Sequence, residues 1–462
     1  SYTPADSGLA GDDYVRSIAI DAMGYKWIGT YDQNQLKGGL NVFDDNGTPL
    51  IKDDGDRWQF FDTVDGLSYR WVHAIAIDGA GLKWVATQSR LNVFDDKGDP
   101  FDKEDGDVWV IFELADGLPY PAVRNLVIDE AGHKWLTTYN SNYSDPQGAL
   151  AVLDDKGTPL DKGDDDWASF TTADGLVHPE PYSLMLPGGD QVWIGTWEGL
   201  NALDDGGTPF EKGDDGWQRF TAEDGLVEEN IFAVAQDEAG RKWLAYGGVG
   251  LYVLDEGGTP LDKSDDLWMS FDESDGLIDS WVYAIAPGAA GHIWIGTDSG
   301  LNLLDTAGTP FDKSDDHWQS WDYYDHWVLQ VAYAVALDAR GYIWVGAHLG
   351  ALVLDVGGTP LDKADDAWQT FTEDDGLPHY GDIDAIVIDE GGYTWLASTY
   401  DGAYVLDDKG DPLDKGDGDE WQWFPAGDGY ITDIALDGDC LLYTSPSPRD
   451  SYADLVCRLL LE

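Results

Sequence analysis

Tryptophan recurs in this chain on a fixed frame. One set stands at Trp27, Trp84, Trp135, Trp193, Trp243, Trp294, Trp344 and Trp395, each followed by an aliphatic and then a small residue. A second set follows at Trp58, Trp109, Trp167, Trp217, Trp268, Trp318, Trp368 and Trp421. Sixteen of the 22 Trp belong to this frame, and the spacings of the first set are 57, 51, 58, 50, 51, 50 and 51. Insertions at 31–37 and 140–147 account for the two longer periods. Self-similarity at about 50 residues marks a repeat architecture, in which each unit buries its faces against its neighbours.

Each repeat reads as four short strands. In the sixth, residues 281–286 form a mostly apolar first strand, and 288–291 a Gly-rich turn. Residues 292–297 and 301–304 are the second and third strands, an acidic loop follows at 305–316, and 318–321 is the fourth strand. Composition agrees. Of 89 acids only 16 are Glu, leaving 73 Asp, and there are 56 Gly and 20 Pro. Asp, Gly and Pro favour turns, whereas Glu favours helices. The expectation is an all-β chain: an eight-bladed β-propeller over 1–439, four antiparallel strands to a blade. The repeats fall roughly at 15–61, 72–112, 123–170, 182–220, 231–271, 281–321, 331–371 and 383–424. The framework Trp are then packing residues between blades.

The turn between first and second strands reads Asp-x-x-Gly-x-x-Trp, as at Asp21/Gly24/Trp27, Asp78/Gly81/Trp84, Asp129/Gly132/Trp135, Asp237/Gly240/Trp243, Asp338/Gly341/Trp344 and Asp389/Gly392/Trp395. A short polar side chain can cap such a turn while Gly takes positive φ. Pro187 and Gly288 replace the Asp in repeats four and six, which favours a structural role. Asp-Gly-Leu, an apolar strand, this turn, Trp-Ile-Gly-Thr and Gly-Leu-Asn together resemble the two-component regulator propeller repeat. Asp275–Leu277, Trp294–Thr297 and Gly300–Asn302 carry the likeness best; Gly66–Asn92 carries it too. The resemblance covers roughly residues 5–437 and implies a β-propeller of the kind found in periplasmic or extracellular sensor regions and other secreted proteins. It implies no substrate. The long acidic loop departs from that repeat, and the kinase region such sensors carry is not in this sequence.

The acidic loop is where chemistry is concentrated. Its pattern is Asp-x-x-Gly-Thr-Pro-Leu/Phe-Asp-Lys-x-Asp-Asp, with acids at positions one, eight, eleven and twelve. They are Asp154, Asp161, Asp164 and Asp165 in repeat three, and Asp204, Glu211, Asp214 and Asp215 in repeat four. Repeats five to seven give Asp255, Asp262, Asp265 and Asp266, then Asp305, Asp312, Asp315 and Asp316, then Asp355, Asp362, Asp365 and Asp366. With one extra residue, repeat two gives Asp95, Asp102, Asp105 and Asp107, and repeat eight gives Asp407, Asp414, Asp417 and Asp419. Repeat one is the outlier, with Ile51 at position eight before Asp53, Asp54 and Asp56. Carboxylates this close raise one another's pKa unless a cation neutralises them. Ca²⁺, which takes six to eight oxygen ligands, is the natural candidate. The spacing is not that of an EF-hand. The competing reading is a solvated acidic face.

The formal charge of −63 argues against nucleic acid or anionic membrane as partner. No apolar run reaches 18 residues, so no transmembrane helix is expected. The eight His occupy unrelated repeat positions, and no nucleophile-elbow, zinc-protease or phosphate-loop motif occurs. The most irregular connector, Asp322–Trp327, could form a sugar-binding or catalytic patch, or simply a divergent packed connector. Both cysteines, Cys440 and Cys457, lie in a tail (440–462) that lacks the repeat's Trp, turn Gly and acids. The tail is expected to pack poorly and is similar to translated adaptor sequence. The start, Ser1-Tyr2-Thr3-Pro4, suits a processed chain or a fragment. The expectation is a secreted, non-enzymatic, calcium-binding propeller, structural or adhesive, whose partners are copies of itself or other surface proteins and glycans. A ligand-binding sensor region and a propeller-type carbohydrate-active enzyme are the alternatives.

Overall fold

Short segments of five to seven residues, rich in β-branched and aromatic side chains, build eight blades of four antiparallel strands, each blade ordered first to fourth strand. The fold is a β-propeller of eight blades in a computed structural model. The structure describes residues 14–31, 38–44, 57–103, 106–140, 147–186, 191–196, 198–221, 224, 231–257, 263–375, 377, 382–388, 392–398, 402–415, 419–425, 435–437, 440–444 and 456–457.

First strands are Tyr14–Ile20, Val72–Ile77, Ala122–Ile128, Pro181–Met185, Ile231–Gln236, Val282–Pro287, Ala332–Leu337 and Ile383–Ile388. Fourth strands are Arg57–Phe61, Val108–Phe112, Asp166–Phe170, Gly216–Phe220, Leu267–Phe271, His317–Trp321, Ala367–Phe371 and Glu420–Pro425. Register is constant from blade to blade. In the sixth, Ala286 pairs with Trp294, Trp294 with Leu303, and Leu304 with Trp318. Second and third strands are buried almost throughout, as in Lys83–Thr87, because both faces are covered. The fourth strand is a sheet edge and buries fully only its last aromatic, such as Phe271 or Phe371.

The chain divides into two units. One is Thr3–Glu228 with Thr259–Lys263, holding blades one to four; the other is Ser1–Tyr2, Glu229–Gly258 and Ser264–Glu462, holding blades five to eight. Within each unit, first strands of successive blades lie side by side. In the second unit Ala435–Asp437 pairs with Cys440–Thr444, and Val456–Cys457 pairs in parallel with Ala233–Val234.

One aromatic arrangement joins blades within each unit. Trp243 stacks on Phe271 at 6.0 Å and 21°, and Phe271 meets Trp318 of the next blade edge-on at 6.0 Å and 62°. Trp84–Phe112–Trp167, Trp135–Phe170–Trp217 and Trp344–Phe371–Trp421 repeat it. Such pairs add about 0.5–1.5 kcal/mol each beyond the area they bury. The Gly of Asp-Gly-Leu is set by the same packing: a Cβ on Gly276, at φ +133°, would stand 2.6 Å from the Trp318 ring. Asn302 then holds the connector, its Oδ1 accepting from Ile278 N–H at 2.9 Å.

Among the described residues no helix is long and apolar enough to cross a membrane.

Candidate functional site: the acidic loops

The turn Asp does more than cap. Asp78 Oδ1 accepts from Ala80 and Leu82 N–H at 2.9 and 3.0 Å, while Oδ2 accepts from the Trp84 indole at 2.9 Å. Asp237 repeats this with Ala239, Arg241 and Trp243. The Asp thus links the turn to the framework Trp, a structural role.

The acidic loops begin with an Asx turn. At position one Asp154, Asp204, Asp305 and Asp355 each accept from the N–H two residues on, at 2.8, 3.0, 2.9 and 2.9 Å. Asp95, Asp255 and Asp407 do the same. At position eight Asp161, Asp312 and Asp362 close a second turn on Gly163, Ser314 and Ala364. At position eleven Asp164, Asp214, Asp315 and Asp365 accept from the Thr hydroxyl of Gly-Thr-Pro, at 2.9, 2.7, 2.8 and 2.5 Å. Three of the four positions therefore have local donors, and among the described residues no three His, Cys, Asp or Glu are drawn together as a metal's ligand set. Asp105, Asp262 and Asp417, and the acidic loop of the first repeat, lie outside the described residues.

Position twelve is different. Both carboxylate oxygens of Asp165 and Asp316, and Oδ1 of Asp215 and Asp366, are buried with no hydrogen-bond partner. Burial, then the nearby Asp155, Asp164, Asp161 and Asp116 carboxylates, push the Asp165 pKa up to about 6. Burial and Asp214 and Asp205 do the same at Asp215, and burial and Asp315, with Asp275 and Asp312, at Asp316, each reaching about 6. The field there favours any cation, a proton included.

Lys at position nine supplies a second contact that the sequence reading did not assign. Lys313 leaves its own blade and pairs with Asp275 of the preceding Asp-Gly-Leu at 2.7 Å, with its ammonium 5.0 Å from the Phe271 ring centre. Lys103–Asp65, Lys162–Asp116 and Lys212–Asp174, each at 2.7 Å, repeat it, as do Lys363–Asp325 at 2.6 Å and Lys415–Asp375 at 2.5 Å. The signal was available: a Lys at one loop position in every such repeat, always one blade after an Asp. Buried Lys83 and Lys134 were also missed; they pair with Asp96 and Asp155 at position two, at 2.7 and 2.6 Å.

The irregular connector is packed at its base. The His326 ring takes the Gly place against Trp368, with centroids 5.7 Å apart, and Val328 and Leu329 are fully buried. Asp325 pairs with Lys363 as its counterparts do. Tyr323, Tyr324 and Trp327 are exposed.

Strand order and blade register together define a β-propeller of four-stranded blades. Residues 276–299 match the family model described as "Two component regulator propeller", which bears out the resemblance on the repeat where the motifs are fullest. No curated protein matches. Solved structures with a similar fold include an extracellular domain assigned to the hybrid two component system BT3049 from B. thetaiotaomicron, 16% identical, with a TM-score of 0.39, over 94% of this chain and 56% of that one. A second, from the system BT4673 of the same organism, is 14% identical with a TM-score of 0.42, over 98% and 62%. PorZ, a bacterial surface component of the type-IX secretion system of Porphyromonas gingivalis, is 15% identical with a TM-score of 0.46, over 94% and 61%. The chain thus spans between 56% and 62% of those chains.

Proposed function

We propose that this chain is a non-enzymatic extracellular β-propeller whose acidic loops take up divalent cations, Ca²⁺ foremost, and that it acts as a structural or adhesive subunit joined to copies of itself or to other surface proteins and glycans. The observation that supports it is at position twelve, where both carboxylate oxygens of Asp165 and Asp316 and one oxygen each of Asp215 and Asp366 are buried without a hydrogen-bond partner. A buried ionised carboxylate is costly unless it is paired or bound to a metal. The position-twelve oxygens would be the first ligands, and those at eight and eleven would join by exchanging their Thr and N–H donors for the ion. A cation that binds only the folded chain stabilises it by about 2.7 kcal/mol per site at hundredfold excess. Thermal unfolding in EDTA, in millimolar Ca²⁺ and in NaCl of matched ionic strength tests this. Protection by Ca²⁺ beyond that of NaCl is expected; equal protection by NaCl reduces the acids to screening and overturns the reading.

A second reading, the ligand-binding region of a sensor, is favoured by the regulator-repeat match over 276–299. Sedimentation with and without Ca²⁺ separates the two. Calcium-dependent self-association favours the structural subunit, and a monomer under both conditions favours the sensor region.

A further inference from the structure

In each blade the ladder between first and second strands skips one residue of the first strand. The skips fall between Val15 and Ser17, Val72 and Ala74, Val123 and Asn125, and Pro181 and Ser183. They recur between Ile231 and Ala233, Val282 and Ala284, Ala332 and Ala334, and Ile383 and Ala385. A β-bulge of this kind takes a residue out of the pairing and re-aims its side chain. The skipped residues are Arg16, His73, Arg124, Tyr182, Phe232, Tyr283, Tyr333 and Asp384. Elsewhere the repeats copy one another closely; here they differ, and every residue is aromatic or ionisable. A packing role would select one residue type at one place in the frame. A binding role selects a set.

In the second unit three of these residues hold the same register position on adjacent first strands. The Tyr283 and Tyr333 rings meet at 5.5 Å and 52°. The Tyr283 hydroxyl donates to Asp298 Oδ1 at 2.9 Å. Asp384 holds the same register position on the first strand next to that of Tyr333. Both tyrosines are half-buried. Nearby, His348 Nδ1 is 2.5 Å from the buried Asp382 carboxylate.

We propose that Tyr283, Tyr333 and Asp384, with Asp298, form a binding site for a small organic cation, an amine or quaternary ammonium compound. Ring faces attract such ions, most strongly when carboxylates stand beside them. The formal charge of −63 raises the local concentration of cations and works against anionic ligands. The inference is independent of the loop-cation reading, and Ca²⁺ is held constant in its test.

The test is calorimetric titration of the full chain, at physiological salt, with choline and with its neutral isostere 3,3-dimethyl-1-butanol. Choline is expected to bind and the alcohol not. Tyr333→Leu and Asp384→Asn should each weaken choline by about tenfold, while Tyr333→Phe, which keeps the ring, should bind nearly as the parent does. Tyr324→Ser, at a fully exposed connector position, should change nothing. No binding of choline, equal binding of the alcohol, or equal loss in Tyr333→Phe and Tyr333→Leu would each overturn the proposal.

Discussion

The Trp321 indole N–H donates to Asp366 Oδ2 at 2.7 Å, across from the fourth strand of one blade to the acidic loop of the next. Other fourth strands, among them those of blades two and five, end in Phe, which has no donor to offer. Asp165 and Asp316 hold the same loop position in the blades that follow Phe112 and Phe271, and have no partner at either oxygen. The chain thus carries its own comparison between a position-twelve carboxylate with a donor and the same carboxylate without one.

Phe271→Trp should supply Asp316 with the donor that Asp366 has. Trp321 already stacks on Trp294 at 5.4 Å, so an indole fits this place in the frame. A hydrogen bond to a charged group contributes about 1.5–3 kcal/mol. The Asp316 pKa, followed by carboxyl-carbon NMR, should fall from about 6 toward the ordinary carboxylate range. An unchanged titration would show that the carboxylate does not face this ring.

Stability should rise on acidification from neutral pH in metal-free buffer. Asp165, Asp215 and Asp316 have folded pKa values near 6 against 3.8 for the free group. Between those values the folded chain binds more protons than the unfolded one. Their contribution is complete below about pH 3.8 and is lost as pH rises through about 6. Asp116, Asp174 and Asp224 have the opposite sign: burial works against their charge, but Lys162, Lys212 and Lys263 with backbone N–H donors hold them low. Their contribution is lost as pH falls below 3.8. Melting followed from pH 7 to 3 should therefore peak on the acid side, near pH 4–5. A monotonic fall from pH 7 would contradict the shifts.

Gly276→Ala should be more destabilising than Gly308→Ala. Both have positive φ, but a Cβ at 276 meets Trp318 at 2.6 Å and one at 308 meets nothing within 4 Å. Overpacking of this kind costs about 1–3 kcal/mol. Urea unfolding of the two variants gives the difference directly.

Asp237→Ala removes the acceptor of the Trp243 indole and of two turn N–H groups. Leaving a buried donor without a partner costs about 1–3 kcal/mol. Chemical denaturation should show a loss in that range. A loss much smaller than this would mean that water replaces the carboxylate.

The blades were legible because their cause is local. Trp294, the Gly276 connector and the Gly291 turn recur at spacings set by strand length, and the sequence repeats them. The Asp of the turn was read as a cap from spacing alone; its bond to the indole at i+6 needed the fold. The cross-blade pair Lys313–Asp275 joins residues 38 apart: the Lys and the Asp each recur visibly in the repeats, but only the packing of one blade on the next shows that they meet. Within the loop, composition located the acids but not their inequality. Asp312 and Asp315 have Ser and Thr donors, whereas Asp316 has none, and only packing against the preceding blade separates them. The skipped residues of the first strands were hidden for the opposite reason: they vary where all else repeats.

The central claim is that the loops bind divalent ions, and equilibrium dialysis against Ca²⁺ at pH 7 in physiological NaCl counts them directly. The account predicts about one ion per acidic loop, with protons released as the ion displaces them from carboxylates such as Asp165, Asp215 and Asp316. It also predicts that Asp316→Asn with Asp315→Asn removes one ion and leaves the others bound. Uptake of less than one ion per chain, or uptake that the double substitution leaves unchanged, would contradict it.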